Sequence, residues 1–421
     1  MKKNIGLVLA ALMLAAVLPS LAVTSSGFPW SAAGETVTIT KEEYERLLQY
    51  EKLDMLMQIV DMYYYEDPDH EAMLDGAARG LMAGIGDVYS TYYTKEEMEK
   101  FNEETEGIYA GIGCQLLADP SDELITVTRV FKGSPAEKVG VRAGDKIVYV
   151  NDTYYSAYDM DEAVSQMRGT PGESVKVTVL RDLETVDFDI VREQVIINYV
   201  EYEVLEDVNL GYVIVYDFLG DAYEGFEEAV NTFRDRGVDG MIIDLRNNGG
   251  GLVDTCVHMA DLILPEGTVV SMRDKAGRET RETIDGDYYD VPMAVLVNGY
   301  TASASEILAG AIRDNQAGIL VGQKTFGKGV VQSSLEFMDG SGMKVTTARY
   351  YTPSGECIHE IGIEPDIEAE LDEDAVTRYG INNLPHDQDA QLQAAIRVLT
   401  GQEQLPQKQE TEETEETDAA A

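Results

Sequence analysis

Histidine and cysteine are scarce in this chain of 421 residues. The three cysteines, Cys114, Cys256 and Cys357, lie far apart and lack the spacing of a metal site. An odd number leaves at least one thiol unpaired, and we expect burial to be the role of each. None of the histidines stands in a serine, histidine and aspartate pattern; they are His70, His258, His359 and His386. The sequence therefore predicts no metal centre and disfavours a histidine base.

Basic residues are also few, since 32 Lys and Arg stand against 77 Asp and Glu and give a formal charge of −45. An extended nucleic-acid partner needs cationic contacts to its phosphates, so this charge argues against one. Anionic membrane surfaces should repel the folded part for the same reason. Apolar residues make up 44% of the chain, which is enough for the cores of two or three domains.

Only one stretch, near the N-terminus, has a long apolar run. Lys2 and Lys3 precede the run from Ile5 to Leu18, and the small-x-small pattern of residues 19–22 follows it. This layout is typical of a secretory signal, and the run is short for a membrane span. We predict that residues 1–22 direct export, to the medium or to the outer face of the cytoplasmic membrane (periplasm or cell-wall space). An uncleaved N-terminal anchor is the alternative.

The regions that follow, and the C-terminal region, differ in composition and in apolar periodicity. Residues 23–39 form a polar linker, and residues 40–106 show helical periodicity that opens with a capping box of Thr40 and Glu43. We interpret this helical part as a packing unit or the contact of a homodimer. At the other end, residues 371–401 contain a helix. Residues 402–421 hold seven acids and one lysine, which predicts a disordered tail.

Residues 107–195 contain short strands and turn signals. The glycine-flanked loop Gly111-Ile112-Gly113-Cys114 is followed by Gly-Ser-Pro-Ala at 133–136 and Ala-Gly-Asp-Lys-Ile at 143–147. In this order the motifs resemble a PDZ domain in the bacterial arrangement. Such a loop turns several N–H groups toward one point, which suits a terminal carboxylate, and the strand from Cys114 accepts the ligand as an added strand. The apolar pocket is predicted from Ala163, Val164 and Met167; the alternative is that the two glycines merely turn the chain.

Residues 196–370 alternate strands with helices, which predicts an α/β domain with a mostly parallel sheet. One predicted strand, 293–297, leads through a small-residue turn to Ser303 at the start of a helix. Ser303 and Glu306 also form a capping box by sequence, so a cap without chemistry remains open, and Ser305 is a second hydroxyl. A serine at neutral pH needs a base beside it.

Lysine is the alternative to a histidine base. The pKa of a lysine, normally about 10.4, must fall by roughly 3 units for this role, and burial lowers it. Lys328 suits the role, because Gly327 and Gly329 permit close backbone approach and its other neighbours are apolar. On a strand, Lys328 and Gln332 share a face, so Gln332 is predicted to orient the amine.

A glycine-rich turn supplies the third component. The strand predicted over 240–245 ends in Arg246-Asn247-Asn248-Gly249-Gly250-Gly251, ahead of a helix. Backbone N–H groups exposed there suit a phosphate or an oxyanion. Because such turns are common, this turn alone does not decide between the two.

The blocks 301–306, 325–332 and 244–251 together resemble the signature blocks of the carboxyl-terminal processing peptidases, also called tail-specific proteases. The resemblance extends from about Glu42 to Leu399 and implies a crotonase-like core, a substrate tunnel, PDZ control of access and no cofactor. It places the nucleophile on Ser303, the base on Lys328 and the orienting residue on Gln332. It places the oxyanion donors on the backbone N–H of Ala304 and of Gly249 or Gly250. One departure is Thr301, where the family has serine.

The sequence therefore predicts an exported serine endopeptidase that recognises protein C-termini, with proteins or peptides of apolar C-terminus as substrates. A non-catalytic PDZ-led scaffold and a crotonase-type acyl-CoA enzyme are the alternatives. Arg168, at the end of the predicted PDZ helix, precedes a turn predicted to touch the protease core. We interpret it as a regulatory candidate; a helix C-terminal cation is the simpler role.

Overall fold

The computed structural model describes residues 38–119 and 122–403. The predicted signal peptide, most of the linker and nearly all of the acidic tail lie outside the described residues. Two compact units are present, and they meet in the sequence between Met73 and Leu74. No helix within the described ranges is long and apolar enough to cross a membrane.

The first unit consists of helices. Helix α1 spans Lys41–Leu48, α2 spans Glu51–Tyr63, and α3, His70–Ala83, begins in this unit. Thr40 caps α1: the Glu43 amide donates to its hydroxyl at 3.2 Å, and the Glu43 carboxylate accepts the Thr40 amide at 2.8 Å. Neither α1 nor α2 buries a residue, so both leave apolar side chains exposed.

The second unit contains an antiparallel domain and an α/β domain. The elements up to residue 196 are β1 (Thr91–Tyr93), α4 (Lys95–Glu106), β2 (Ile108–Gly111), β3 (Cys114–Asp119), β4 (Leu124–Val130), α5 (Pro135–Val139), β5 (Lys146–Val150), β6 (Thr153–Tyr154), α6 (Met160–Met167), β7 (Ser174–Arg181), β8 (Glu184–Val191) and β9 (Glu193–Ile196). Strands β3-β4-β5-β7-β8 form one antiparallel sheet, with β3 at its edge. Strands β2 and β9, at the beginning and the end of this domain, pair with each other in antiparallel orientation.

The α/β domain follows. Its elements are β10 (Val200–Leu205), β11 (Leu210–Val215), α7 (Ala222–Arg236), β12 (Gly240–Asp244), α8 (Val253–Asp261), β13 (Gly267–Asp274), β14 (Glu279–Ile284), β15 (Met293–Val297), α9 (Ala304–Asp314), β16 (Gly318–Gly322), β17 (Val330–Glu336), β18 (Gly342–Tyr351), β19 (Ile367–Glu368), α10 (Glu373–Tyr379) and α11 (Ala390–Leu399). The central sheet has the order β10-β11-β12-β15-β16-β19, and all its pairs are parallel except β10 with β11.

Both faces of the central sheet are covered. Every residue of β12 and β15 is buried, which explains why these strands appear in the sequence as unbroken apolar runs. Met241 and Ile243 pack on the side of α7, α8 and α9, whereas Ile242 between them packs against α11. Because β12, β15 and β16 run parallel, their carboxyl ends lie at the same end of the sheet. The segments that follow these three strands meet there.

A second antiparallel sheet joins β1, β18, β13 and β14, and β17 pairs with β18. Strands β13 and β14 were not predicted from the sequence. Their exposed positions are charged, as with Arg273 and Glu279, so they show only a weak apolar pattern. This sheet matters for the site because β17 follows the Lys328 loop directly.

A buried charge cluster fastens α11 to the central sheet. Arg246 is fully buried and binds the Asp244 carboxylate through Nη2 at 2.6 Å and the Asp389 carboxylate through Nη2 at 2.8 Å. Its Nη1 also donates to Gln391 at 3.1 Å, and the Tyr212 hydroxyl donates to Asp244 at 2.8 Å. The cluster therefore holds the residue that begins the glycine turn.

Replacing Arg246 by leucine is expected to lower the free energy of unfolding by about 3–5 kcal/mol, since two buried carboxylates lose their cationic partner. Urea unfolding measures the loss. Arg397→Leu is the matched control, because Arg397 lies half-exposed on α11 and its partner among the described residues is Glu403; we expect a loss of less than about 1 kcal/mol there. An equal loss of unfolding free energy in the two variants would contradict the stabilising role of the buried Arg246 cluster.

Candidate active site

Ser303 lies between β15 and α9 in a strained backbone conformation. Its φ is 59° and its ψ is −120°, whereas an ordinary N-cap residue is extended. Such strain accumulates at functional sites. The Ser303 amide donates to the Glu306 carboxylate at 3.0 Å, and the Ser303 carbonyl accepts the Glu306 amide at 2.9 Å. Both hydrogen bonds use backbone atoms of Ser303, which leaves its hydroxyl available for chemistry.

The neighbouring hydroxyls have structural partners. Ser305 is fully buried, and its Oγ donates to the Asn248 carbonyl at 3.0 Å. Thr301 is also fully buried, and its Oγ1 donates to the Leu245 carbonyl at 2.8 Å. Thr301, the residue that departs from the family pattern, therefore makes with its hydroxyl a structural hydrogen bond that a serine could also make.

The glycine turn lies directly against Ser303. A Cβ on Gly250 would stand 2.7 Å from the Ser303 Cβ and 2.9 Å from the Ala304 nitrogen, so only glycine allows this approach. The Gly250 amide donates to the Asn248 side chain at 2.8 Å and is thereby occupied. Gly249 is exposed and has open space around it. Of the two glycine alternatives, the geometry favours Gly249 as the oxyanion donor beside Ala304.

Asn248 organises this turn. It is fully buried, its Nδ2 donates to the Val215 carbonyl at 2.7 Å, and its own carbonyl accepts the Ala302 amide at 3.0 Å. The same carbonyl accepts the Ser305 hydroxyl. This role of Asn248 was not predicted from the sequence, because a side chain that shapes a turn leaves no periodic signal.

Lys328 follows β16 in a loop that runs against residues 358–362. A Cβ on Gly329 would lie 2.6 Å from the His359 nitrogen, so the glycine beside the lysine is required by this close approach. The Lys328 Nζ lies 5.0 Å from the centroid of the Tyr89 ring. Within the described part of the chain, Lys328 has no ion pair. Tyr89 comes from a region in which the sequence analysis expected no chemistry.

The surroundings of Lys328 favour its neutral form. Burial lowers the pKa of Lys328, the charge of Lys344 lowers it further, and Glu306 and Asp87 act in the opposite direction. Tyr89, which faces the amine, is itself only partly buried. The direction of the shift is the one that a lysine base needs.

Glu306 connects the serine to the lysine. It is fully buried, and besides the Ser303 amide it accepts the amides of Lys328 at 2.8 Å and Gly327 at 2.7 Å and the Thr325 hydroxyl at 2.6 Å. Burial raises the pKa of Glu306, and these four donors oppose that rise. The capping-box signal located Glu306 but gave no hint of its bonds to the lysine loop.

Gln332 is not placed as predicted. Strand β17 begins at Val330, so Lys328 lies in the loop before the strand, and strand alternation does not relate its direction to that of Gln332. The Gln332 side-chain amide donates to the Val330 carbonyl at 3.4 Å and to the Thr346 hydroxyl at 3.3 Å, rather than contacting Lys328. In this conformation Gln332 does not orient the amine.

A cleft of about 720 Å³ runs from the antiparallel domain to the α/β domain. Of the predicted peptide-binding residues, it is lined by Ile112, Cys114, Val164 and Met167. It lies along the free edge of β3, where an extended peptide would add as a strand. Ala163 was predicted to line the pocket, and this prediction is wrong. Its side chain is fully buried in the domain core rather than exposed to the cleft.

On the other side the cleft reaches Asp217 and Asn247, the latter next to the glycine turn. Burial raises the pKa of Asp217 to about 7, against a lowering effect of Arg129. The cleft therefore extends from the edge of β3 to the first residues of the glycine turn. Arg168 lines the same cleft, where its Nη1 pairs with Glu103 on α4 at 2.8 Å.

The described residues offer no group of three or more His, Cys, Asp and Glu side chains arranged to hold a metal ion. The three cysteines are free; Cys256 is buried, and Cys114 and Cys357 are partly exposed. Burial raises the pKa of the Cys114 thiol to about 12, so this thiol is neutral at ordinary pH.

The chain is similar to known proteins over most of its length. Residues 209–369 match the model of peptidase family S41, and residues 126–181 match a PDZ domain. The chain is 32% identical over 382 residues to "Carboxy-terminal processing protease CtpA" of Bacillus subtilis (strain 168), covering 90% of this chain and 80% of that protein. It is 36% identical over 320 residues to "Probable CtpA-like serine protease" of Staphylococcus aureus (strain COL), covering 75% of this chain and 64% of that one.

Two solved structures are also similar. A Bacteroides fragilis NCTC 9343 protein described as an S41 protease is 17% identical with a TM-score of 0.55, covering 88% of this chain and 100% of that one, and shows the same fold. A photosystem II D1 C-terminal processing protease is 29% identical with a TM-score of 0.49, covering 82% and 99%. Because the Bacillus subtilis protein is 32% identical over most of both chains, this chain belongs to peptidase family S41, as a serine peptidase of the carboxy-terminal processing type with a PDZ domain.

Proposed function

We propose that this chain is an exported serine endopeptidase that binds protein C-termini in its PDZ groove and cleaves by a Ser–Lys acyl-enzyme mechanism. The observation that carries the proposal is the buried Glu306 carboxylate, which binds the backbone of both Ser303 and Lys328. One oxygen of this carboxylate, Oε2, accepts both backbone amides and so holds the segment of the nucleophile beside the segment of the proposed base. We propose that the α/β domain is a crotonase-like core.

In this mechanism Ser303 attacks the scissile carbonyl and Lys328 accepts the hydroxyl proton. The amides of Ala304 and Gly249 stabilise the oxyanion, and Lys328 returns the proton to the leaving amine. Water then resolves the acyl-enzyme with Lys328 as base. Among the described residues no hydrogen bond joins the Lys328 amine, which lies 5.0 Å from the centroid of the Tyr89 ring, to the Ser303 hydroxyl, so the two groups must come together before the first step.

The proposed role of the groove is tested with one unstructured polypeptide that ends in apolar residues, prepared with a free carboxylate and with a C-terminal amide. We expect cleavage of the free form to be at least about tenfold faster, because the amide lacks the charge that a loop of N–H groups selects. Mass spectrometry of the products gives the rates. Equal rates would contradict C-terminal recognition while leaving peptidase activity intact.

The pH dependence of cleavage tests lysine as the base. Only the neutral amine accepts a proton, so kcat/KM should rise with pH through the pKa of Lys328. Lys344 lowers that pKa, so Lys344→Met should raise it and move the rising limb of the profile to higher pH. Lys324→Met is the control, since Lys324 pairs with Glu364 at 2.7 Å. If the pH profile of Lys344→Met stayed in place or moved to lower pH, the assignment of Lys328 as the base would be contradicted.

We also propose that α1 and α2 form the contact of a homodimer. Apolar side chains on both helices are about half exposed, including Leu47 at 55%, Leu56 at 52% and Met62 at 70%. Burial of such side chains in a second copy removes their surface from water. Light scattering should give twice the chain mass for wild type and the single mass for Leu53→Glu with Leu56→Glu. Single mass for wild type across micromolar concentrations would refute the dimer.

A further inference from the structure

Asp217 is a carboxylate in the cleft that the proposed mechanism does not use. It lies just after β11 and lines the cleft at the end beside the glycine turn, together with Asn247. Asp217 is partly exposed, whereas the adjacent Phe218 is fully buried in the core. Among the described residues, no hydrogen bond or ion pair reaches the Asp217 carboxylate. Asp217 therefore leaves a carboxylate without a partner beside the space that a substrate would enter.

The backbone that follows Asp217 packs on the glycine turn. The Phe218 amide donates to the Gly250 carbonyl at 2.7 Å, and the Phe218 carbonyl accepts the Leu252 amide at 2.9 Å. Gly250 in turn lies directly against Ser303. A polypeptide that is bound along β3 and reaches Ser303 through this cleft would therefore pass Asp217.

The arginines that line the cleft are each paired with a carboxylate other than Asp217. The pairs are Arg129 with Glu201 at 2.7 Å, Arg168 with Glu103 at 2.8 Å, and Arg246 with Asp244 at 2.6 Å and with Asp389 at 2.8 Å. Two acids of the lining, Glu104 and Asp217, have no ion pair within the described part of the chain. With these partners counted, the charge along the cleft is negative, so a basic group is attracted to it.

The surroundings of Asp217 suit a long side chain with a charged end. Leu219 and Ile381 line the same cleft and supply apolar surface. A lysine or arginine side chain can lay its methylene stem along such surface and bring its cation to a carboxylate. Because burial removes water from the Asp217 carboxylate, a cationic partner stabilises it more than it would an exposed acid.

We propose that Asp217 is a specificity-determining residue that binds a basic side chain of the substrate, between the substrate's C-terminus and the scissile bond. The proposal rests on the proposed function, because it takes a polypeptide bound through its C-terminus as the occupant of the cleft. Anchoring of the C-terminus fixes the register of an extended chain, in which successive side chains point in opposite directions. The preference for a basic residue should therefore occur at a defined position counted from the C-terminus.

The test is a lysine scan on the full chain, with Ser303→Ala to prevent cleavage. N-acetylated ten-residue peptides with the same apolar C-terminus carry one lysine or one methionine at each upstream position in turn. Calorimetry measures their affinities at pH 8.5, because the pKa of Asp217 is about 7 and the carboxylate is then ionised. At one position we expect lysine to bind about tenfold more tightly than methionine. Asp217→Asn should bring this ratio to within about twofold of unity, and Asp217→Glu, which keeps the charge, should retain most of it.

Asp221→Asn is the matched control for the loss of an acid from this segment. Asp221 precedes α7 and is not among the described residues that line the cleft. The preference for lysine should therefore survive in Asp221→Asn. A preference that falls equally in Asp217→Asn and Asp221→Asn would indicate the general negative field of the protein and would refute a specific role of Asp217.

The reference methionine peptide, prepared as free acid and as amide, separates this proposal from the proposed function. Equal affinities of the lysine and methionine peptides at every position, or a lysine preference that Asp217→Asn leaves unchanged, would overturn the role of Asp217. A free acid that still binds more tightly than the amide would then leave C-terminal recognition intact. If acid and amide bound equally, or neither bound, both proposals would fail.

Discussion

Replacing Ser303 by alanine is expected to lower kcat/KM for peptide cleavage by roughly 10⁴-fold or more, to the background of the assay. Loss of the nucleophile alone removes nearly all the catalysis in a serine peptidase, because the remaining groups act through it. Peptide binding should remain, since Ser303 lies outside the groove that holds the C-terminus. The fold should also remain, because the hydrogen bonds of Ser303 to Glu306, Ile307 and Tyr350 use its backbone atoms, which alanine keeps.

Ser305→Ala is the matched control, two residues along the same segment. Its hydroxyl donates to the Asn248 carbonyl and holds the glycine turn, so its loss should reduce stability by about 1 kcal/mol and activity by no more than about tenfold. Single-turnover cleavage followed by mass spectrometry measures both variants and detects the acyl-enzyme. A Ser303→Ala chain that still cleaves, or a Ser305→Ala chain that alone becomes inactive, would move the nucleophile away from Ser303.

Much of the central sheet could be predicted, because its strands are buried on both faces. Strands β12 and β15 contain five buried residues each and appear as apolar runs between turn signals. The positions of Ser303 and Lys328 followed from glycines and a helix start beside such strands. These signals are local, and local signals survive in a single sequence.

Contacts made at long sequence separation could not be predicted. Nothing in the sequence near Tyr89 indicates that its ring faces Lys328, 239 positions later (328 − 89). The hydrogen bonds that Glu306 accepts from Gly327 and Lys328 form only because the loop after β16 folds back toward the start of α9, and no local signal in the sequence indicates this path. The contact between Gln332 and Lys328 was mispredicted because β17 begins only at Val330, so Lys328 lies in a loop to which strand alternation does not apply.

Replacing Lys328 by methionine is expected to lower kcat by about a thousandfold to ten-thousandfold with little change in KM. A positioned general base contributes this range, and the serine hydroxyl without it stays protonated. Methionine keeps an apolar stem of similar length in a partly buried position, and the backbone amide of residue 328 keeps its bond to Glu306. The thermal midpoint should therefore not fall, because a desolvated amine has been removed rather than a packing contact.

Lys324→Met separates this effect from a general loss of charge near the site. Lys324 lies four positions earlier in the same loop but is 47% exposed and pairs with Glu364, so its replacement should leave kcat within about twofold. A fluorophosphonate that labels activated serines gives a second measurement: Lys328→Met should lose labelling of Ser303, and Lys324→Met should retain it. If Lys328→Met were labelled at the wild-type rate, another group would activate Ser303. Among the groups near the lysine, His359 would then be the first to test, because its buried Nδ1 has no hydrogen-bond partner among the described residues and it lies against Gly329.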